Sequence, residues 1–399
     1  MWGERLDKLA AFIAALMPIS IVLGNVGFEL VLVLVILIWI IRSFDSRENP
    51  LPYVLKHPIG LPCLCWFAGI VISRLLNFSS THLLVHDVVF LRNTLFVFAL
   101  LDISRRQPLM KYLVYGLFAG VVWAVLNTLS AHILGYDFIG NPLEHYTGKL
   151  NEAGRIAGLM VYTAPFCFSW ALLDKNMTRR MRIWVFILGV LGVILILKGQ
   201  SRTGLIAAAC GTLAAIAYNT WQRRSLMVLI FFGILVLVGF AILFQSGEMG
   251  SFASFYDRIY YWKVCWAVWL EDPIFGVGIS SFKEAYRQVA ATGMVKPFVA
   301  PDGQIFHLAQ VSHAHNLVLQ LITCTGLLGL AVFTWLFINA CRLIKRNHEG
   351  LRLGLIPWPI VFLVVGLTGW NIFDPYYTSL FVYFLGLIGG GPPDEAPLI

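Results

Sequence analysis

The sequence predicts an all-α integral membrane protein with about twelve transmembrane helices. Of its 399 residues, 59% are hydrophobic and only 13% are charged, and the mean hydropathy is +0.78. Soluble domains carry about a quarter charged residues, so this composition excludes an ordinary soluble domain. Twelve apolar runs and one long polar insertion, residues 245–316, complete the pattern. We therefore expect one polytopic domain over residues 1–399, with the insertion between the ninth and tenth helices.

The apolar runs follow one another with short polar connections. Each is close to the length of about 17–25 residues that crosses the hydrocarbon core as a helix. The weakest candidates are 27–41 and 376–390, which are short, and 88–103, which contains Arg92. The runs occupy residues 9–24, 27–41, 59–76, 88–103, 112–134, 157–174, 183–199, 204–221, 226–244, 317–340, 353–369 and 376–390.

Charge predicts the orientation of these helices. If the N-terminus lies in the cytoplasm, the loops on that side carry 18 of the 29 lysines and arginines. This is the bias that cytoplasmic loops show, and it places both termini inside. The insertion and a shorter loop, residues 135–156, then lie outside, in the periplasm of a Gram-negative host. The net charge of +8 is thus a topology signal, and no nucleic-acid partner is expected.

The insertion has a pattern of its own. Aromatic and aliphatic residues recur at helical spacing, which predicts a helix suited to the membrane interface. Asp272-Pro273 ends that helix, residues 281–291 favour a second short helix, and 293–311 read as an irregular segment that could act as a lid or be a simple surface loop. The recurring residues are Phe255, Ile259, Trp262, Trp266 and Trp269.

Three arginines are candidate ligands for phosphate. Arg202 lies in a tight turn between two apolar runs, Arg155 directly precedes another, and Arg258 falls off the apolar stripe of the insertion. All three are on the outer side, where positive charge is disfavoured unless it is paired or functional. A guanidinium group binds phosphate oxygens with two parallel hydrogen bonds. Arginines that converge on one outer cavity would form a diphosphate site.

The sequence also allows other roles for the cations on the outer side. Arg155 is expected either to bind substrate or to pair with Glu152, and Arg92 either to bind substrate or to pair with Asp87. Five other outer cations are expected to form ion pairs or to extend towards lipid head groups. They are Arg74, Lys263, Lys283, Arg287 and Lys296.

A histidine-rich string marks the start of the tenth apolar run. Within Ser312–Asn316, His315 is the candidate general base, because histidine titrates near neutral pH, and His313 and His307 compete for that role. Asn316 and His313 are candidate substrate ligands. Asp374, before the last run, is expected either to orient a histidine or arginine or to cap the last helix.

Several motifs are absent from the sequence. It contains no Walker P-loop, no dinucleotide-binding glycine motif, no His-Glu-x-x-His and no Asp-x-Asp. We therefore expect no cofactor and no metal site. The seven cysteines lie mostly in or beside apolar runs, so no disulfide framework is expected.

Two motifs resemble a known family. His315-Asn316 is followed by Gly326 after nine residues and by Gly329 after two more, which resembles the His-[Asn/Ser/Gln]-x9-Gly-x2-[Gly/Thr/Tyr] pattern of O-antigen ligases. The segment from Pro273 to Phe282 resembles the same superfamily, which also holds O-antigen polymerases and protein O-oligosaccharyltransferases. One departure is that Ile206 stands where the family's Arg-x3-Leu turn has leucine.

The resemblance implies a fold of the GT-C glycosyltransferase type and a reaction. Such enzymes transfer O-antigen from undecaprenyl diphosphate to a sugar hydroxyl of lipid A–core oligosaccharide, with inversion and without a metal. His315 then matches the family's base, and Arg202 and Arg258 match its essential arginines. The partners implied are this donor, this acceptor and membrane lipids, and no protein partner can be deduced.

Three alternatives remain at this level. An O-antigen polymerase uses the same donor with another lipid-linked glycan as acceptor. A protein O-oligosaccharyltransferase is less favoured, because this chain is short for that group. A transporter or flippase fits the number of apolar runs, but transport does not need a 72-residue outer insertion that ends in a His-Asn motif.

Overall fold

The computed structural model describes residues 2–46, 49–76, 84–106, 108–138, 140, 151–199, 201–221, 253–299, 305–306, 311–347, 349–367, 369 and 371–390. Its helices, numbered in chain order, are α1 (Trp2–Ala15), α2 (Met17–Leu23), α3 (Asn25–Ser46), α4 (Leu51–Lys56), α5 (Gly60–Leu76), α6 (Leu84–Ser104), α7 (Leu109–Leu134), α8 (Asn151–Leu173), α9 (Arg179–Lys198), α10 (Arg202–Trp221), α11 (Ala253–Glu271), α12 (Phe282–Ala291), α13 (Leu317–Ile344), α14 (Glu349–Leu355), α15 (Pro357–Gly366) and α16 (Pro375–Gly389).

The apolar runs form helices, as the sequence predicts. Eleven of the twelve runs correspond to these helices, although 9–24 and 353–369 are each divided between two helices. The run 226–244 lies outside the described residues. By length and hydropathy, five described helices could each cross a membrane: 25–45, 109–134, 154–173, 179–198 and 317–344. The pair α1 and α2, bent by 43°, would make a sixth. The chain is therefore a helical, multi-pass membrane protein, while the number twelve stays a prediction.

One short β-ribbon interrupts the helical architecture. Phe298–Val299 (β1) pairs antiparallel with Ile305–Phe306 (β2), with Phe298 opposite Phe306 and Val299 opposite Ile305. The expectation of an irregular segment over 293–311 is thus wrong at these positions. The paired residues are aromatic or β-branched, which favours strands.

Aromatic side chains fill the interior between α5, α13, α15 and α16. Trp66 packs edge-on against Phe333, with ring centroids 5.3 Å apart, and Phe333 stacks on Phe381 at 5.7 Å. Trp358 of α15 also stacks on Phe381, at 5.8 Å. Such ring pairs add stability beyond the area that they bury. These ring contacts hold α13 against the last helix, α16. The histidines of Ser312–Asn316 lie directly before the first residue of α13.

A buried ionic network joins α1, α3 and α6 at the end of the bundle that carries the chain's first residues. The guanidinium of Arg106 contacts the carboxylates of Asp7 (2.9 Å) and Asp102 (2.8 Å), and Arg42 contacts Asp7 at 3.3 Å. Trp39 Nε1 also donates to Asp102, at 2.9 Å. Both carboxylates are almost fully buried, so these partners offset the cost of removing the charges from water.

Helix α13 is broken at Gly326, and a loop of the insertion forms hydrogen bonds with the backbone groups that the break leaves unpaired. Gly326 has φ 65° and ψ −168°, which interrupts the helical hydrogen bonds on either side. In a membrane protein the freed backbone groups must find partners within the protein. The loop 273–278 supplies them through four bonds. These are Val277 N to Thr323 O (2.8 Å), Gly278 N to Cys324 O (2.9 Å), Leu327 N to Pro273 O (2.9 Å) and Leu328 N to Ile274 O (3.1 Å).

Helices α11 and α12 form where the sequence predicts them in the insertion. The buried face of α11, however, is not the predicted apolar stripe: Tyr261, Val264, Cys265 and Val268 are buried, whereas Trp266 is 50% exposed. An outward aromatic face suits the membrane–water interface, where such rings are favoured. The inward face brings Tyr261 against His315, in the segment Ser312–Asn316 that we call the histidine loop.

Candidate functional site

A cavity of about 620 Å³ lies between α3, α6, α8, α13 and α16 and the loops before α12 and α13. Four of the predicted site residues line it: Arg92, Arg155, His313 and Asp374. Its size is within the range of small-molecule sites, and its wall mixes aromatic rings with a few charged and amide groups. The lining also includes Asn25, Phe90, Asn93, Lys283, Gln320, Phe373, Tyr376 and Tyr377.

The histidine loop lies at the edge of this cavity. The rings of His313 and His315 are 3.9 Å apart, and His315 stacks on Tyr261 of α11 with centroids 5.8 Å apart. His315 has φ 50°, a left-handed conformation that is uncommon for residues with a side chain and often marks functional sites. Asn316 caps α13, since its side chain accepts from Leu319 N at 3.1 Å. The cap and the turn together fix both rings.

The two histidines differ in their hydrogen bonds. His313 Nε2 lies 3.1 Å from the carbonyl oxygen of Gly369, and its Nδ1 lies 2.7 Å from Ser312 Oγ. A carbonyl can only accept, so Nε2 donates, and Nδ1 of the neutral ring accepts from the Ser312 hydroxyl. In the described part of the chain, no hydrogen bond is made by either ring nitrogen of His315. Among the described residues, nothing therefore occupies the ring nitrogen of His315 that would accept a proton.

Both histidines are held in the neutral form. Burial lowers the pKa of His315 to about 3, and the charges of His313 and Arg258 act in the same direction. Burial also lowers the pKa of His313, although the Gly369 carbonyl and Asp374 oppose it, while Arg258 and Lys283 reinforce it. Burial disfavours the charged form of a base, and a nearby cation does the same. Burial therefore favours the deprotonated form of both rings, and Arg258, which does not line the cavity, adds to this effect.

The side chain of Gln320, in the first part of α13, is hydrogen-bonded to the histidine loop. It is buried; its Oε1 accepts from Ala314 N at 2.6 Å, and its Nε2 donates to Cys324 Sγ at 3.0 Å. Ala314 is the residue between the two histidines. Since the carbonyl of Cys324 accepts from Gly278 N, Gln320 connects the histidine loop to the break in α13.

Arg155 and Asp374 lie on facing helices, α8 and α16. The hydroxyl of Tyr376 donates to the carbonyl oxygen of Arg155, which ties the two helices together. The guanidinium of Arg155 lies over the turn at Gly24, where an added Cβ would be 3.6 Å from its Nη1. Asp374 caps α16, because its side chain accepts from Tyr376 N at 3.0 Å. The capping role expected as the alternative for Asp374 is therefore present, and the same residue also lines the cavity.

Arg92 forms an ion pair with Glu29 of α3. The expected partner was Asp87, whose side chain lies outside the described residues. The pairing follows from packing, since α3 and α6 lie side by side and bring Glu29 to Arg92. This ion pair leaves Arg92 on the cavity wall.

Arg202 and Arg258 do not line the cavity as described. Arg202 is exposed at the first residue of α10. That end of α10 packs on α8, since a Cβ on Gly204 would lie 2.5 Å from Val161. Arg258 is half-buried on α11, close enough to both histidines to affect their pKa. The structure thus brings Arg92, Arg155, His313 and Asp374 together, puts His315 and Arg258 beside them, and leaves Arg202 apart.

The polar residues of the cavity wall that sequence reasoning missed include Asn93, Lys283 and Gln320. Lys283 and Arg74 were each expected to form an ion pair or to extend towards lipid head groups. Lys283 instead lines the cavity, and Arg74 is 1% exposed and donates to Ser281 Oγ at 2.8 Å. Asn93 and Gln320 each carry one available signal, an amide inside an apolar run. A buried amide in a membrane helix is costly and therefore often functional.

Comparison with known proteins agrees with the two sequence motifs. Residues 185–334 match the family model described as O-antigen ligase. This segment contains Arg202, Arg258, both cavity-side histidines and the glycine at the break in α13. Arg92, Arg155 and Asp374 lie outside it.

A similar curated protein is the exopolysaccharide production protein ExoQ of Rhizobium meliloti (strain 1021). It is 23% identical over 309 residues, which covers 71% of this chain and 66% of that protein. The chain therefore spans just under two thirds of that relative. Both matches are described in terms of bacterial polysaccharides, one as an O-antigen ligase and the other as an exopolysaccharide production protein. Residues 185–334 of the chain are therefore similar to the O-antigen ligase family.

Proposed function

We propose that this protein is an O-antigen ligase of the bacterial inner membrane. It transfers O-antigen polysaccharide from undecaprenyl diphosphate to a sugar hydroxyl of lipid A–core oligosaccharide. In the proposed topology both termini are cytoplasmic, and the insertion 245–316 lies in the periplasm between the ninth and tenth of twelve helices. The family match supports the reaction class, and the lysine and arginine bias supports the orientation.

The observation that carries the proposal is the state of His315. It is neutral, it has a free ring nitrogen among the described residues, and its ring is 3.9 Å from that of His313 on the cavity wall. A neutral imidazole next to a substrate-sized cavity is suited to accept a proton from a hydroxyl. His315 is therefore the proposed base, and His313, with both nitrogens occupied, contacts the substrate from the wall.

The proposed donor site is built from arginines. Arg202 and Arg258 hold the diphosphate, and Arg155 and Arg92, which line the cavity, contribute positive charge to it. Undecaprenyl diphosphate is a good leaving group, so it needs neutralisation of charge more than protonation. Fixed cations at the place where negative charge grows stabilise the transition state. Because Arg202 is exposed and apart from the cavity, its role requires that the donor extend to the start of α10.

The reaction is an inverting displacement. The acceptor hydroxyl oxygen attacks the anomeric carbon, and His315 takes the hydroxyl proton. The bond from the anomeric carbon to the phosphate oxygen breaks, and its electron pair leaves with undecaprenyl diphosphate. Asn316 and Asp374 keep the base and the cavity wall in place through their caps. No metal is part of this proposal, in accordance with the missing Asp-x-Asp motif.

A pKa of about 3 makes His315 a weak base in the free protein. Binding of the donor changes this, because the diphosphate brings negative charge next to Arg258. Negative charge favours the protonated imidazole and raises its pKa towards the working pH, where a base is most effective. In this way the base becomes competent only when the donor is in place.

The test is replacement of the base. We expect His315→Ala to abolish transfer in cells, with polymer left on the lipid carrier and bare lipid A–core, while the protein level in the membrane stays normal. His132→Ala is the matched control, because His132 is exposed on α7 and should leave transfer unchanged. Lipid A–core decorated at the wild-type level in His315→Ala would refute the base assignment.

An O-antigen polymerase is the second candidate, and the similarity to an exopolysaccharide production protein favours it. The glycans of a deletion strain separate the two functions. Loss of a ligase leaves bare core and accumulated polymer on the carrier, whereas loss of a polymerase leaves core that carries a single repeat.

A further inference from the structure

Asn93 of α6 is a buried amide that has no hydrogen-bond partner among the described residues. It is 3% exposed, and within the described part of the chain its side chain makes no hydrogen bond, with Oδ1 fully buried. Burial of an amide is unfavourable unless its donors and acceptor are satisfied. Native proteins satisfy nearly all such groups, so an exception calls for a ligand or a water molecule.

The position of Asn93 points to a ligand. Asn93 and Phe90, one helical turn apart, line the 620 Å³ cavity and also a small void of about 10 Å³ behind it. The small void holds one water at most. The amide therefore lies in the wall shared by the two spaces, and the large cavity is the only one of the two that admits a substrate group.

The surroundings of Asn93 select the class of ligand. The cations of the wall, Arg92, Arg155 and Lys283, are the natural partners of phosphate, whereas the amides Asn25, Asn93 and Asn371 both donate and accept. A hydroxyl group does the same. Aromatic rings stand beside the amides, with Phe90 edge-on to Phe373 at 5.7 Å. Amides next to aromatic rings match a sugar, which has a hydroxyl rim and apolar ring faces.

We propose that Asn93 hydrogen-bonds a hydroxyl of the acceptor sugar and determines which sugar the cavity accepts. The inference rests on the proposed transfer function and deepens it, because it names the residue that selects the sugar. Among the described residues Oδ1 of Asn93 has no partner, and sugar binding supplies a hydroxyl for the amide. Asn93 thus lowers the stability of the protein without substrate, and it makes binding selective for the acceptor sugar.

The test combines a stability and a kinetic measurement on the purified protein. Asn93→Leu keeps the size of the side chain and removes its polar atoms. We expect its thermal unfolding temperature to be equal to or above that of the wild type. We expect the KM for lipid A–core to rise about tenfold, the effect of one lost hydrogen bond, with a smaller change in kcat. Asn93→Ser, which retains a hydroxyl, should recover part of the affinity.

Asn127→Leu is the matched control. Asn127 is also buried in a membrane helix, but its Oδ1 accepts from Phe138 N at 3.1 Å. Its replacement should lower the unfolding temperature and leave the KM unchanged. An unchanged KM in Asn93→Leu, or a fall in its unfolding temperature like that of Asn127→Leu, would overturn the assignment of Asn93 alone. A wild-type protein that transfers nothing from undecaprenyl diphosphate-linked O-antigen to lipid A–core would overturn the proposed function and this inference together.

Discussion

Gly276 and Gly326 face each other so closely that neither can carry a side chain. A Cβ on Gly276 would lie 2.5 Å from the backbone nitrogen of Gly326, and a Cβ on Gly326 would overlap the carbonyl oxygen of Ile274. Both glycines have positive φ, 69° and 65°. The two sequence motifs of the family are thus one structure, in which the loop 273–278 occupies the break in α13. This contact sets where the histidine loop stands relative to the cavity.

Replacement of either glycine should therefore unfold this junction. We expect Gly326→Ala and Gly276→Ala each to lower the free energy of unfolding by more than the cost of about 1–2 kcal/mol for a side chain at positive φ, because a steric overlap is added. Transfer activity should fall with it. Thermal unfolding in detergent measures the effect.

Gly69→Ala provides the control for this prediction. Gly69 is helical in α5, and a Cβ there would meet no atom within 4 Å. The substitution should be neutral or stabilising by about 0.5–1 kcal/mol, as expected for alanine in a helix. Equal stability of Gly326→Ala and Gly69→Ala would show that the break is not needed.

Gln320 should matter for catalysis through the position of the histidines. Gln320→Met keeps the volume and removes the bonds to Ala314 N and Cys324 Sγ. We expect transfer to fall by about tenfold or more, because the His313–His315 turn loses its support. Gln320→Glu, which keeps the acceptor for Ala314 N, should retain more activity than the methionine variant. Rates on purified protein, normalised to folded protein, give the comparison.

Asn339→Leu is the matched variant in the same helix. The amide of Asn339 donates to the carbonyl oxygen of Pro58 at 2.8 Å, in the part of α13 beyond the break. The substitution Asn339→Leu should leave the transfer rate unchanged. A wild-type rate in Gln320→Met would show that the histidine turn holds its geometry without the amide.

Arg258 should control the pH dependence of the base. Its positive charge lowers the pKa of His315 and His313. In Arg258→Met both pKa values should rise, so the acidic limb of kcat/KM, which reports the free enzyme, should move to higher pH. In the wild type kcat/KM should stay nearly constant between about pH 7 and about pH 5, because a base with a pKa of about 3 remains deprotonated there.

The control for the pH profile is Arg287→Met. Arg287 is an exposed cation on α12 that pairs with Glu284 at 2.6 Å. Removal of this cation should leave the pH of the acidic limb of kcat/KM unchanged. An unmoved limb in Arg258→Met, or an equal movement in both variants, would show that Arg258 does not act on the histidines.

Much of the fold followed from hydropathy alone. The helical class and eleven of the twelve apolar runs could be predicted because each span must satisfy its own backbone hydrogen bonds, which makes it a local property of the chain. The β-ribbon at 298–306 was missed, because a pairing of two residues on each side depends on tertiary contact rather than on a local pattern. The face of α11 that packs on the protein was not predicted, because apolar residues suit both the membrane interface and the protein interior, and hydropathy does not distinguish the two.

By itself, the sequence determined the membrane class, the family motifs and the residue types of the candidate site. Hydropathy and motif spacing are encoded along the chain, so no tertiary contact is needed to find them. Only the tertiary structure decided which of these residues meet. It brought Arg155, Arg92, His313 and Asp374 to one cavity, paired Arg92 with Glu29, left Arg202 outside, and added Asn93 and Gln320. Those outcomes depend on how helices distant in sequence pack, and above all on the broken helix α13, whose two halves are held by a loop about fifty residues earlier in the chain.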